Sequence, residues 1–180
     1  MNVKLVNHYT APANEIKTAN ELLNPPEGVY DVNFVFPLRE LESDKVRLVP
    51  FLPSVHMPLL HVRAQPHSEL NRYTSFGPFP TLSSALEWHD QHIRAEPSAT
   101  LFAVLDLTQA DPVLPEMGGR LAGMTGLIGA STGQSQAEVA FVTYLPEFQR
   151  THVGTHASGL LLRWLLDSPA QGGLGLKRVQ

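Results

Sequence analysis

The sequence predicts an α+β protein built on a mixed, largely antiparallel central sheet flanked by helices. Three observations predict it. Lys45-Val46-Arg47-Leu48-Val49 alternates polar and apolar residues, the signature of a half-buried strand. Two helical stretches then precede three strands in a row, whereas a doubly wound sheet would alternate strand and helix. The chain has 180 residues, 43% of them hydrophobic and 17% charged, enough to bury one core without disulfide or metal staples.

Residues 1–40 read as an extended N-terminal arm. Pro12, Pro25, Pro26 and Gly28 interrupt it, and at most a helical turn or two fits around residues 13–23. Regular structure starts near Leu41 and continues as a domain over 41–180, with its first strand at 45–49. Pro53 opens a first helix carrying Val55, Leu59, Leu60 and Val62. A loop rich in Ser, Pro and aromatic residues spans 66–80. Thr81 is the expected N-cap of a second helix, with Leu82, Leu86, His89 and Ile93 on one stripe. A strand follows at 101–107, then a connection marked by Asp111-Pro112, Pro115 and Gly118-Gly119. The next strand, 120–128, holds glycines that signal a bulge or a close backbone approach. The turn-prone stretch STGQSQ separates it from an antiparallel partner at 137–144. A loop opens at Pro146 and a leucine-rich helix begins near Thr151; Leu160, Leu161, Trp164 and Leu165 form its packing stripe. A final strand is expected at 174–180. No internal repeat or low-complexity tract is visible.

Several function classes lose support. The formal charge is −4 without a long basic run, which argues against a duplex nucleic-acid surface. The absence of cysteine removes disulfides, thiolate metal sites and cysteine nucleophiles, and fits a reducing compartment. The N-terminal stretch lacks an apolar segment of signal-peptide length. The leucine-rich helix is broken by Arg163 and ends at Asp167, so no membrane span is expected and a cytoplasmic location is. His89 and His92 are three apart, and His152 and His156 four apart. Zinc would need a third ligand and no HExxH pattern is present, so no metal is expected. His89, on an apolar stripe, reads as a hydrogen-bonded core residue. No nucleophile elbow, Walker loop or dinucleotide fingerprint appears.

The chemistry concentrates in AEVAFVTYLPEFQRTHVGTHASGLLLRWLLD, residues 137–167. A strand feeding a helix N-terminus presents backbone N–H groups without internal acceptors, and the helix dipole adds partial positive charge there. Gly154 leaves room for a backbone to approach a phosphate-bearing ligand. The pattern alone fits an anion site or plain scaffold.

The element order and three segments together resemble the GNAT superfamily of acyl-CoA-dependent N-acetyltransferases, most of all the branch of ribosomal-protein alanine acetyltransferases and their fungal relatives. LESDKVRLVPF is similar to that branch's first strand, AEVAFVTYLPEFQRTHVGTHA to its fourth strand and acetyl-CoA loop, and LGLKRVQ to its fifth strand. The resemblance covers roughly 41–180 and implies an acyl-CoA N-acyltransferase-like fold with acetyl-CoA as co-substrate. The superfamily's pyrophosphate loop, [QR]-x-x-G-x-[GA], matches at Gln149 and Gly154, with His152 in the middle glycine's place. Arg150 would add charge complementarity, and Thr151, Val153 and Thr155 complete the loop and first helical turn. The backbone of Val142, Thr143 and Tyr144 would hold the pantetheine arm in strand-like fashion. Beside this loop the fourth and fifth strands should splay into a slot.

The resemblance also implies a reaction in a ternary complex: a deprotonated primary amine, on a small molecule or a peptide N-terminus, attacks the thioester directly. Glu138, on the strand flanking the thioester, is the candidate base, against a reading as an exposed strand residue. Tyr144 could donate to the thioester or thiolate, or simply edge the core. Ser158 could bond the ligand or its own helix. The loop stretch 67–80 is the expected source of the acceptor pocket. Relatives continue past the fifth strand with another helix and two strands, so the domain is expected to be incomplete at its C-terminus. A terminal strand left exposed would invite a homodimer or other pairing. A catalytically inactive acyl-CoA-binding or interaction module is the alternative.

Overall fold

The computed structural model describes residues 3–9 and 15–180; Pro12 and Ala13 of the expected arm lie outside the described residues. β1 (Lys4–Val6) pairs in parallel with β2 (Val29–Asp31), and between them α1 (Ala19–Leu23) is capped reciprocally by Thr18 and Glu21. Leu22, Tyr30, Val32, Phe34 and Phe36 are buried in the same core as the rest of the chain. The stretch expected to extend freely is therefore held down over its described residues. Its apolar groups come in runs too short to show a period, yet each gains by burial. Polar fastenings reinforce it. The Asn7 side chain donates to the carbonyls of Phe34 and Phe36, the buried Asp90 carboxylate accepts from the Lys17 amide, and Arg94 donates to the Glu15 carbonyl.

The main sheet contains six strands in sequence order: β3 (Leu41–Glu42), β4 (Val46–Pro50), β5 (Thr100–Asp106), β6 (Arg120–Ser131), β7 (Gln136–Tyr144) and β8 (Arg178–Val179). Neighbours are antiparallel except β7 and β8, which run parallel. The mixed, largely antiparallel sheet expected from the sequence is the one observed. β8 is shorter than expected and pairs with β7 only at Gln136 and Ala137; the Val139 amide then donates to the Gln180 carbonyl.

Strand alternation sends successive residues to opposite faces. Phe102 meets Trp164 edge-on at 5.6 Å, which places α4 (His152–Leu166) on one face. Val153, Ala157, Leu161, Trp164 and Leu165 form its buried stripe. On the other face lie α2 (Pro53–Ala64) and α3 (Leu82–His89), the latter continuing into a π-helical turn, Asp90–Arg94. Pro53 opens α2 as expected, but Pro58 sits inside it and removes one helical hydrogen bond. Leu59 and Leu60 are buried, whereas Val62 is 67% exposed. Thr81 caps α3, and His89 is buried as expected, stacked on Phe51 at 5.6 Å. The expected hydrogen bond is missing at its Nδ1, which is buried without a partner.

Candidate active site

β7 is irregular where it matters. Gly126 pairs with Ala140 but Met124 pairs with Thr143, so Phe141 and Val142 together oppose Thr125. Phe141 adopts φ 58°, a left-handed conformation that costs a non-glycine residue about 1–3 kcal/mol. Its ring is held by Phe76 at 5.7 Å and Trp88 at 5.6 Å. The glycines of β6 make the bulge fit. A Cβ on Gly126 would lie 2.2 Å from the Thr100 carbonyl oxygen, and one on Gly123 would lie 2.1 Å from that of Thr143. The close approach read from these glycines is thus present.

β7 leads through a 3-10 turn, Pro146–Phe148, into α4. Gln149 spends its side-chain amide on the Tyr144 carbonyl at 2.9 Å, tying the loop to the strand end. Arg150 is exposed and takes φ 58°. Thr151 is the N-cap: its hydroxyl accepts from the Val153 amide and donates to the Phe148 carbonyl at 2.7 Å. The Val153 side chain is core, so only its backbone faces the loop, and Thr155 is exposed. A Cβ on Gly154 would meet only the Tyr144 ring edge, at 3.4 Å. Burial pushes the Tyr144 hydroxyl up from its ordinary range, while a hydrogen bond with Ser158 pulls the other way. The Tyr144 ring lies on the α4 side of the strand, against Gly154.

His152 faces the end of β5, its Nε2 3.2 Å from Asp106 Oδ1. Burial works to raise the Asp106 carboxyl, but hydrogen bonds from Gln109, Thr108 and His152 outweigh it and hold the group below the usual range. His156 approaches the Ser43 hydroxyl at 2.9 Å. Among the described residues no group of three His, Cys, Asp or Glu is placed to hold a metal ion, and no helix is long and apolar enough to cross a membrane.

On the other face of β7, next to Tyr144, the Thr143 hydroxyl oxygen is buried without a partner. It lines a cavity of about 270 Å³ between the sheet, α2, α3 and residues 65–80. The loop's expected part in a pocket is visible here: Asn71 donates to the Phe76 carbonyl at 3.0 Å, and Phe76 and Phe79 ring Trp88. His61 borders the same space, its Nε2 3.1 Å from the Phe79 carbonyl oxygen. A carbonyl only accepts, so Nε2 carries the hydrogen, and in the neutral ring Nδ1 keeps the lone pair. His61 was not singled out in the sequence, because a lone histidine in a helix interrupted by proline carries no pattern. Val142 is 48% exposed beside the bulge. Glu138 is not brought here: it is exposed, pairs with Ile128 and stands five residues back along β7, about 16 Å at strand rise.

Bulged strand, capped helix start and cavity meet at Val142–Tyr144. The fold recurs in solved structures. One is a probable GNAT-family acetyltransferase from Chromobacterium violaceum ATCC 12472, with TM-score 0.67 and 19% identity over 80% of this chain and 65% of that one. A GCN5-related N-acetyltransferase from Brucella melitensis aligns with TM-score 0.63 and 20% identity, over 79% of this chain and 59% of its own. The fold is the GNAT acyl-CoA N-acyltransferase fold. A spermidine N-acetyltransferase chimera involving Vibrio cholerae shares this GNAT fold less closely, with TM-score 0.52 and 18% identity over 74% of this chain and 68% of that one. The chain spans less than two thirds of the length of the first two structures. No family model matches the sequence, and no curated protein matches it either.

Proposed function

We propose that this chain transfers an acetyl group from acetyl-CoA to a primary amine by direct attack in a ternary complex. One observation carries the proposal: adjacent residues of β7 serve two sites at once. Tyr144 closes over Gly154 at the start of α4, and Thr143 opens into the cavity on the other face. A co-substrate lying along Val142–Tyr144 would therefore have a helix N-terminus at one end and an amine-sized space behind its reactive part. The segments at 41–51, 137–157 and 174–180 favour the ribosomal-protein alanine acetyltransferase-like branch within this reading.

The residues present fit the co-substrate. The first turn of α4 offers backbone N–H groups to a pyrophosphate, with the one from Val153 already taken by Thr151. Arg150, exposed beside it, supplies positive charge. His152, turned toward Asp106, acts from behind the turn rather than as a direct phosphate ligand. Acetyl-CoA brings the activated thioester, and what remains for the chain is positioning and proton transfer. The attacking amine must shed a proton. Among the described residues, His61 is the one titratable side chain bordering the cavity, and the Phe79 carbonyl leaves its Nδ1 as acceptor, so we place the proton there. Glu138, exposed and remote from the cavity, could take part only through a chain of water molecules. Tyr144, its ring against Gly154, serves the α4 side of the strand.

Calorimetric titration with acetyl-CoA tests the cofactor half; no binding at about millimolar ligand would overturn it. Turnover with a panel of amines separates an enzyme from an inactive acyl-CoA-binding module. His61→Asn should lower that turnover about 100-fold while leaving acetyl-CoA affinity unchanged. An unaltered rate removes His61, and a comparable loss in Glu138→Gln restores the glutamate as base.

A further inference from the structure

The cavity behind Thr143 has a chemistry of its own. Among the described residues that line it, none is Asp, Glu, Lys or Arg. The inner wall is Met57, Leu60, Ala85 and Met124, all buried, with Trp88 and Phe76 stacked at 5.0 Å along one side. Gln65 and Ser68 are exposed and mark the mouth. Of the polar groups inside, Asn71 and His61 already bond loop carbonyls, and the Thr143 hydroxyl stands buried and unpartnered next to the bulge. At about 30 Å³ for each water-sized group, 270 Å³ holds about nine of them.

Resting on the acetyl-transfer reading, we propose that the acceptor is a small monoamine with an apolar or aromatic body, about the size of a phenylethylamine, and not a polyamine. The amine nitrogen sits between the Thr143 hydroxyl and His61, and the body lies along Leu60, Ala85 and Trp88. Only the neutral amine attacks: its lone pair forms the new N–C bond to the acetyl carbon, the C–S bond breaks, and the thiolate leaves with the electron pair of that bond. The amine's proton passes to His61. A polyamine would bring further ammonium groups into walls with no carboxylate to meet them, and an unpaired buried charge is strongly unfavourable. An aromatic body instead meets surfaces of its own kind.

The test is calorimetric titration of the full chain with 2-phenylethylamine and with spermidine, each with and without saturating coenzyme A. The expected result is an affinity for phenylethylamine at least about tenfold above that for spermidine. Ala64→Trp, which fills the cavity from α2, should weaken phenylethylamine by a similar factor with Tm unchanged. Gln65→Glu, at an exposed position where folding is not at stake, should narrow the ratio by strengthening spermidine. Equal or tighter binding of spermidine overturns the proposal, as does an absence of phenylethylamine binding up to about 10 mM. So does a ratio that Gln65→Glu leaves unmoved. The amine titrations need no acetyl transfer, so a failure of coenzyme A binding counts against the acetyl-transfer reading alone.

Discussion

Gly154→Ala separates what the fold asks of this residue from what a ligand asks. An added Cβ would lie 3.4 Å from the Tyr144 ring and touch nothing nearer, which is ordinary contact. Alanine in a helix is favoured over glycine by about 0.5–1 kcal/mol, because glycine loses more backbone freedom on folding. For a chain of 180 residues that corresponds to a rise in Tm of roughly 1–4 °C. The pyrophosphate-loop pattern admits alanine at this position, so alanine itself should leave acetyl-CoA affinity unchanged, whereas the larger side chain of Gly154→Leu enters the gap between α4 and the end of β7, where a pyrophosphate would approach the backbone. Losing one charge-assisted hydrogen bond there costs about 1.5–3 kcal/mol, or roughly 10- to 150-fold in affinity. Thermal unfolding of the alanine variant and calorimetry of both variants with acetyl-CoA read the two effects. A fall in Tm would refute the contact geometry. An unchanged acetyl-CoA affinity in Gly154→Leu would refute the placement of the ligand at this helix start.

Three further outcomes follow from the packing. Gly123→Ala should be severely destabilising, by about 2–6 kcal/mol in chemical denaturation, because φ is 153° and the new Cβ would lie 2.1 Å from the Thr143 carbonyl oxygen; a loss under about 1 kcal/mol would contradict the register. Asp111→Asn should cost about 3 kcal/mol, since the buried carboxylate takes two 2.8 Å bonds from Arg63 and further bonds from the Val113, Leu114 and Leu121 amides. Burial acts to raise that carboxyl, but Arg63 and the amides hold it well below the carboxylate range. Its contribution is therefore present above the unfolded pKa of about 3.9 and fades only as pH falls through the lower folded value. His56 and His89 act at higher pH: burial lowers them to about 4 and about 3, the second helped by Arg94. Between about 6.5 and those values the unfolded chain binds protons that the folded one refuses, so stability falls on acidification. The gap at His56 corresponds to about 3 kcal/mol. His89→Phe should flatten that slope in denaturation measured from pH 7 to 4, and an unchanged slope would show that the buried ring is not what resists protonation.

The main sheet was legible because its strands and helices obey their periods. The Thr81 cap, the α4 stripe and the close approach of the β6 glycines all sit where simple rules place them. The N-terminal segment was not, since strands of three residues offer no alternation to read, and Leu22 and Tyr30 are buried by partners far away in sequence. The π-helical turn at Asp90–Arg94 left no local mark either: its buried ion pair fastens Glu15 and Lys17, a tertiary cause. Within the site, the strand, short loop and helix start near Thr151 could be read from the sequence, whereas His61 could not. Its meaning depends on the Phe79 carbonyl and on a cavity assembled from residues between Met57 and Thr143.

The bulge at Phe141 was the least legible feature, because a left-handed turn in a strand is ordinarily announced by glycine or asparagine. Its effect on the site is large. Ala140 pairs with Gly126, so an unbroken register would set Thr143 opposite Gly123. Gly123 also pairs with Val104, two residues from Phe102 and hence on the α4 face. A regular strand would thus turn Thr143 toward α4 and Tyr144 toward the cavity, since a slip of one residue exchanges the faces of a strand. The extra residue reverses that assignment, bringing the Tyr144 ring over Gly154 and the Thr143 hydroxyl into the cavity. The strain at Phe141 therefore has a local use, and the aromatic contacts from Phe76 and Trp88 that hold its ring are also walls of the cavity. The cavity and the strand register are stabilised by the same side chains, so substitutions that reshape the cavity at Phe76 or Trp88 act on the α4 side of β7 as well.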